Sequence, residues 1–135
     1  MSNFILAAEY VTDTVGLIIY LEKRKLGADS QQIFNSAEFG KTIIYVPAMV
    51  LAEILYLSER NKITANLHDV FQLFQKFPNF KEFSLNADVI KTTQQITDIP
   101  ELHDRLISAT ATLLNLELIT TDAKIKNSAF VKTIW

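Results

Sequence analysis

Four carboxylates carry the chemical interest of this chain: Asp13 in "YVTDTVG", Glu53 in "AMVLAEILYL", Asp104 in "LHDRLISATA" and Asp122 in "LITTDAKI". Taken singly, the three aspartates are ordinary, because Asp at a helix start accepts hydrogen bonds from the first free N–H groups. Glu53 is not. Its helical neighbours on either side are Met49, Val50, Tyr56 and Leu57, so no base on its own helix can pair with it. A carboxylate on a helix apolar on nearly every face must pair across the fold, shift its pKa or bind a cation. Arg105 is the best cross-fold partner. If all four acids converge on one partly buried pocket, they repel strongly. A hard divalent cation relieves that repulsion, and Mg²⁺ or Mn²⁺ suits carboxylate and water ligation. Such a centre activates water against a phosphodiester, with no covalent nucleophile required from the protein.

The elements that must position these acids alternate in type. A strand over Glu9–Thr12 ends at Asp13, and an apolar helix over Thr14–Lys25 leads to Gly27. A second helix spans Ser30–Glu38, with Gly40 after its end. "TIIYV", Thr42–Val46, is a β-branched and aromatic run and predicts a buried strand. Pro47 sits where a helix can begin, since its missing N–H is an orphan donor there. Helices over 47–62 and Ala65–Phe77, a strand over Phe80–Leu85 and a helix over Ala87–Thr97 follow. A further helix starts near Pro100–Asp104, with strands over Leu118–Thr121 and Phe130–Trp135. Strands joined by helices mean crossover connections and a mostly parallel, twisted sheet. Ligands of such sheets bind beyond the carboxyl ends of the strands, where Asp13 and Asp122 both fall.

Other chemistries find no support. The chain has no cysteine, which removes disulfides, thiolate nucleophiles and Cys-ligated zinc. It has no glycine-rich phosphate cradle. His68 and His103 lack the spaced partner of a helical zinc motif, leaving His103 as a supporting or substrate contact at most. Ser58, Ser108 and Thr14 have no His–Asp arrangement near them in sequence. A D-x-D phosphatase fails because residue 15 is Val, and a phospho-acceptor domain wants paired acids after its first strand. With 135 residues, 49% hydrophobic, and three glycines and three prolines, the chain reads as one domain over 1–135, with its core over about 9–134. Its net charge of −2 gives no general affinity for polyanions. Lys23–Lys25, Lys124 and Lys126 are ordinary solvated bases that would serve as phosphate contacts on RNA. The apolar runs Phe4–Ala8 and Val15–Leu21 fall short of the roughly 20 residues of a membrane span, and no basic segment precedes the first. A cytoplasmic protein with no membrane partner is expected. "FQLFQKFPNF", residues 71–80, is rich enough in aromatics to line a groove or simply to fill a core.

The ordered set of motifs resembles the PIN domains, in particular the VapC-type toxins of bacterial toxin–antitoxin modules. "YVTDT" is similar to the first strand with its leading acid, and "YVPAMVLAEILYL" to the strand–Pro–helix segment carrying a glutamate. "LHDRLISATA" and "LITTDAKI" resemble the last two acidic motifs. The likeness implies an α/β/α sandwich around a central parallel sheet, with Asp13, Glu53, Asp104 and Asp122 as metal-binding acids and Thr14 and Thr120 as supporting hydroxyls. It implies a Mg²⁺- or Mn²⁺-dependent endoribonuclease cutting single-stranded RNA or RNA loops, a homodimer and a cognate antitoxin. Ser108 stands where this motif often has Ala, close to the site by helical spacing. The alternatives are a PIN fold that binds RNA or protein without cutting, and a housekeeping nuclease with no antitoxin.

Overall fold

A computed structural model describes residues 8–135; all of the run Phe4–Ala8 except Ala8 lies outside the described residues. The elements in chain order are β1 (Ala8–Thr12), α1 (Thr14–Leu21), α2 (Ala28–Glu38), β2 (Thr42–Pro47), α3 (Ala48–Glu59) and α4 (Leu67–Lys76). They continue with β3 (Phe80–Phe83), α5 (Ala87–Gln95), α6 (Leu102–Leu114), β4 (Glu117–Ile119), α7 (Ala123–Lys126) and β5 (Thr133–Ile134). The five strands form one sheet in the order β3-β2-β1-β4-β5. Every pairing in it is parallel. Helices flank the sheet as an α/β/α sandwich.

This order has a switch point. The chain builds outward from β1 through β2 to β3, then returns to lay β4 on the other side of β1. Loops after β1 and β4 therefore diverge, which opens a crevice at their carboxyl ends. The Asp13 N–H closes its floor by donating to the Ile119 carbonyl at 3.1 Å.

The core forms because both faces of the middle strands are covered. Val11, Ile44, Val46, Leu118 and Ile119 are fully buried, each worth roughly 1.5–3 kcal/mol of apolar burial. Leu17, Phe34, Val50, Ile54 and Ile107 bring the helices onto them. Tyr20 stacks on Phe34 with ring centroids 4.5 Å apart, and Phe80 joins the pair at 5.5 Å from Tyr20. The aromatic segment thus divides between the two expectations for it: Phe80 is core, Phe74 and Phe77 are half-buried, and Phe71 is 48% exposed.

Several boundaries differ from the sequence reading, each for a local reason. α1 stops at Leu21 rather than Lys25, because Lys23 takes a left-handed backbone with φ 55°. Glu22 meanwhile turns to accept the Thr64 and Ala65 N–H groups. α4 starts at Leu67, where Asn66 and Asp69 form a reciprocal capping box. α5 ends at Gln95, with the Thr93 and Ile96 carbonyls taken by Arg105. β5 is confined to Thr133–Ile134, and the Phe130 carbonyl instead accepts from the Thr112 hydroxyl.

Candidate active site

Asp13 ends β1 and starts α1. Its Oδ1 accepts the Gly16 N–H at 2.7 Å, and it also bonds the Thr120 hydroxyl. The side chain is nonetheless buried, at 5% exposed. Burial, with repulsion from Asp104 and Asp122, pushes its carboxyl up to about 6 against the pull of those two hydrogen bonds. So Asp13 is both a helix cap and a strained acid, not one or the other.

Asp104 was expected to share its interest with a capping role. The structure assigns the cap to Glu101, whose carboxylate accepts the Asp104 N–H at 2.7 Å. Asp104 is left without capping work. Burial, and then the charges of Glu101, Asp122 and Glu53, raise it to about 6, opposed by His103. Asp122 does cap α7, taking the Lys124 and Ile125 N–H groups on Oδ1 at 2.8 and 3.2 Å. Its own N–H donates to the Thr120 hydroxyl at 3.0 Å. Thr120, fully buried, therefore ties Asp122 to Asp13.

Glu53 does not pair with Arg105, whose guanidinium is spent on the Ile96 and Thr93 carbonyls at 2.9 and 3.0 Å. Its Oε1 accepts the Thr14 hydroxyl instead. Its Oε2 lies 3.9 Å from His103 Nδ1, which stands 3.1 Å from Glu101. α3, although apolar on nearly every face, is not covered on every face. Val50 and Ile54 are buried, but Leu55 and Tyr56 are 42% and 54% exposed. Glu53 keeps company with the other acids because of the face it occupies, not because the whole helix is covered.

Asp13, Glu53, Asp104 and Asp122 line one cleft of about 230 Å³, with Thr14 and Thr121 among its walls and Val15, Leu57 and Ile107 as its apolar side. A larger groove of about 600 Å³, between α1, α2 and α4, holds none of these four acids. Ser108 does not line the cleft: its neighbour Ile107 does. Its hydroxyl is fully buried without a hydrogen-bond partner among the described residues.

Three contributors escaped the sequence reading. Gly16 fits because a Cβ there would sit 3.0 Å from Asp13 Oδ1 and 3.2 Å from Thr12 Oγ1; its place three residues after a capping Asp was the available signal. Glu101 was passed over because glutamate is not a preferred helix cap. Val15 is an exposed apolar residue at the cleft mouth, visible only once the cleft is.

The donor set is oxygen alone, which matches a hard divalent cation rather than a soft one. Among the described residues, no three His, Asp or Glu side chains are gathered closely enough to hold one ion between them. The arrangement can accept positive charge, hold oriented water and present carboxylates that are easily deprotonated when a cation arrives.

Comparison with known proteins agrees with this architecture. The PIN domain profile matches residues 10–131. VapBC2 from Rickettsia felis, solved on a DNA fragment from its promoter, aligns with a TM-score of 0.69 and 16% identity, covering 94% of this chain and 98% of that one. DNA-bound VapBC from Salmonella typhimurium gives 0.66 and 15%, covering 94% and 97%. A toxin–antitoxin complex from Klebsiella pneumoniae gives 0.64 and 17%, covering 93% and 96%. No curated protein gives a significant match. At such identities the structural likeness is one of fold, whereas the profile spans nearly the whole sequence: the chain belongs to the PIN-domain family.

Proposed function

We propose that the chain is a metal-dependent endoribonuclease, cutting single-stranded RNA or RNA loops, and the toxin of a toxin–antitoxin pair. One observation carries this reading: four carboxylates from separate elements line one cleft at the switch point of a PIN-domain sheet. Asp13, Glu53, Asp104 and Asp122 would hold Mg²⁺ or Mn²⁺. Mg²⁺ uses one or two carboxylates and keeps several waters, which suits acids spread around a cleft rather than packed on a point. When bound, the cation supplies an activated water and offsets charge developing on the phosphate.

The chain's own residues set the stage. Gly16 and Thr120 fix Asp13, and the Thr14 hydroxyl fixes one oxygen of Glu53. Asp122 is held by α7, so its Oδ1 is committed while its second oxygen is left to the cleft. Val15, Leu57 and Ile107 give an apolar wall that strengthens electrostatic contacts inside. The test is cleavage of single-stranded RNA by the purified chain with Mg²⁺ or Mn²⁺. Asp104→Asn, matched to the parent in circular dichroism, is expected to lose about 100-fold or more of the rate.

The same spread of acids, if too wide to hold one ion, gives a second reading, a PIN fold that holds RNA or protein without cutting it. RNA binding with no cleavage in either metal would select it. The partners follow from the leading reading: a second copy of this chain, and a small antitoxin whose Arg or Lys could enter the acidic cleft. The relatives solved as toxin–antitoxin complexes support such a partner. So does the larger groove, which offers Leu73 and Phe77 beside Lys23, Arg24 and Lys76 to a peptide of mixed character. No helix among the described residues is long and apolar enough to cross a membrane, and a cytoplasmic setting is part of the proposal. Growth arrest on expression, relieved by co-expressing the neighbouring small protein, tests the toxin assignment. Cleavage without growth arrest leaves a housekeeping nuclease.

A further inference from the structure

α3 carries a strip that leads out of the acidic cleft. Glu53 and Leu57 line that cleft. At 100° per residue, Tyr56 and Arg60 fall within the same roughly 100° sector of the helix. Arg60 lies about 10 Å beyond Glu53 along the axis. Tyr56 is 54% exposed, and the Arg60 guanidinium carbon sits 4.3 Å from its ring centroid. Lys62 follows, also exposed. Among the described residues neither Arg60 nor Lys62 forms an ion pair. An exposed aromatic ring, a stacked guanidinium and unneutralised charge thus stand just outside a pocket lined by four acids and no base.

We propose that Tyr56 and Arg60 form a base-stacking platform for single-stranded RNA, a nucleotide or two from the cleft. This rests on the ribonuclease reading above. Single-stranded RNA is held by aromatic rings and Arg planes on which unstacked bases lie, with cations meeting the phosphates. The acidic cleft repels a polyanion, so a strand needs an adjacent cationic anchor to present its backbone there. Arg60, at the C-cap of the helix that carries Glu53, and Lys62, in the turn that follows it, supply one. A second copy of the chain is a poorer occupant, since a two-fold contact centred on the strip would turn Arg60 toward its own copy. Stacking tolerates any base, so the platform would set affinity and register rather than sequence.

The test uses the full chain carrying Asp13→Asn, so that cutting does not intrude, and fluorescence anisotropy with two labelled probes. One is a single-stranded oligoribonucleotide of mixed sequence, the other a base-free ribose-phosphate oligomer of equal length. Adding Tyr56→Ala is expected to weaken binding of the first about 5- to 100-fold and to leave the second unchanged. Tyr56→Trp is expected to keep the affinity and show fluorescence quenching when the mixed probe binds. Equal losses on both probes, or no loss on either, would overturn the platform while leaving the ribonuclease reading intact. Sedimentation of the same variants guards against the protein occupant: a dimer broken by Tyr56→Ala assigns the strip to subunit contact and overturns the proposal. A parent chain that neither binds nor cuts RNA removes the ribonuclease reading, and the platform with it.

Discussion

Asp13 shows how one side chain can serve folding and oppose it at once. It caps α1, yet the folded protein holds its carboxyl at about 6, against 3.8 in an open chain. Between those values the folded state binds more protons than the unfolded. Stability therefore falls as pH rises through that window and levels off above it, by on the order of 3 kcal/mol for a shift of this size. Asp104, raised in the same direction, adds to the slope. Melting temperature followed in EDTA from about pH 4 to above 6 should fall. Asp13→Asn keeps a competent cap and should flatten the fall; a melting temperature that rises over this range would refute the buried-acid account. Gly16 makes a second expectation. Its Ala variant gains up to about 1 kcal/mol of helix propensity but sets a methyl 3.0 Å from Asp13 Oδ1. Melting should change little while kcat/KM drops about 10- to 100-fold, the scale of a small misplacement at a reacting centre. Full activity in Gly16→Ala would mean that the Asp13 position is not critical.

At the level of elements, Glu22 decides where α1 ends and how the α3–α4 turn is held. Bonds from Arg24, then from the Thr64 N–H and hydroxyl and the Ala65 N–H, pull its carboxyl down to about 2. That contribution is present above the ordinary carboxylate range and disappears as pH falls toward 2. Glu22→Ala should destabilise by about 1–3 kcal/mol, the range for charge-assisted hydrogen bonds, measured by urea denaturation at neutral pH. A neutral substitution would show the turn to be held by packing alone. Glu22 also illustrates what a sequence conceals. The apolar periodicity of Thr14–Lys25 gives a helix but not its last turn, because the residue that ends it answers to a partner 42 positions away. The strands of β1, β2 and β4 were legible from their β-branched runs, and their parallel pairing from the helices between them. β5 shrank because its pairing depends on where Lys132 and Ile134 meet β4. Of the candidate site, the acid at each motif was readable from its surroundings. The Thr14–Glu53 and Thr120–Asp122 bonds, the isolation of Ser108 and the diversion of Arg105 were not, since each is fixed by tertiary neighbours.

For the molecule as a whole, the cleft predicts a response to cations. Mn²⁺ at a hundredfold excess over its Kd should stabilise the native state by roughly 2.7 kcal/mol, a shift of several degrees in Tm, with Asp104→Asn blunting the effect. Unchanged melting in the parent would return the four carboxylates to separate, local duties. The sheet order has a further consequence, in time rather than in space. Synthesis runs from the amino end, and a domain generally folds as a unit. Asp13 and Glu53 belong to β1–α1 and β2–α3, which emerge first. Asp104 and Asp122 arrive with α6 and β4, and β1 lacks its second neighbour until β4 docks. A nascent chain therefore carries half a cleft for most of its synthesis. If the finished molecule cuts RNA, this order keeps it harmless to the message and ribosome that are making it until nearly the last strand is in place.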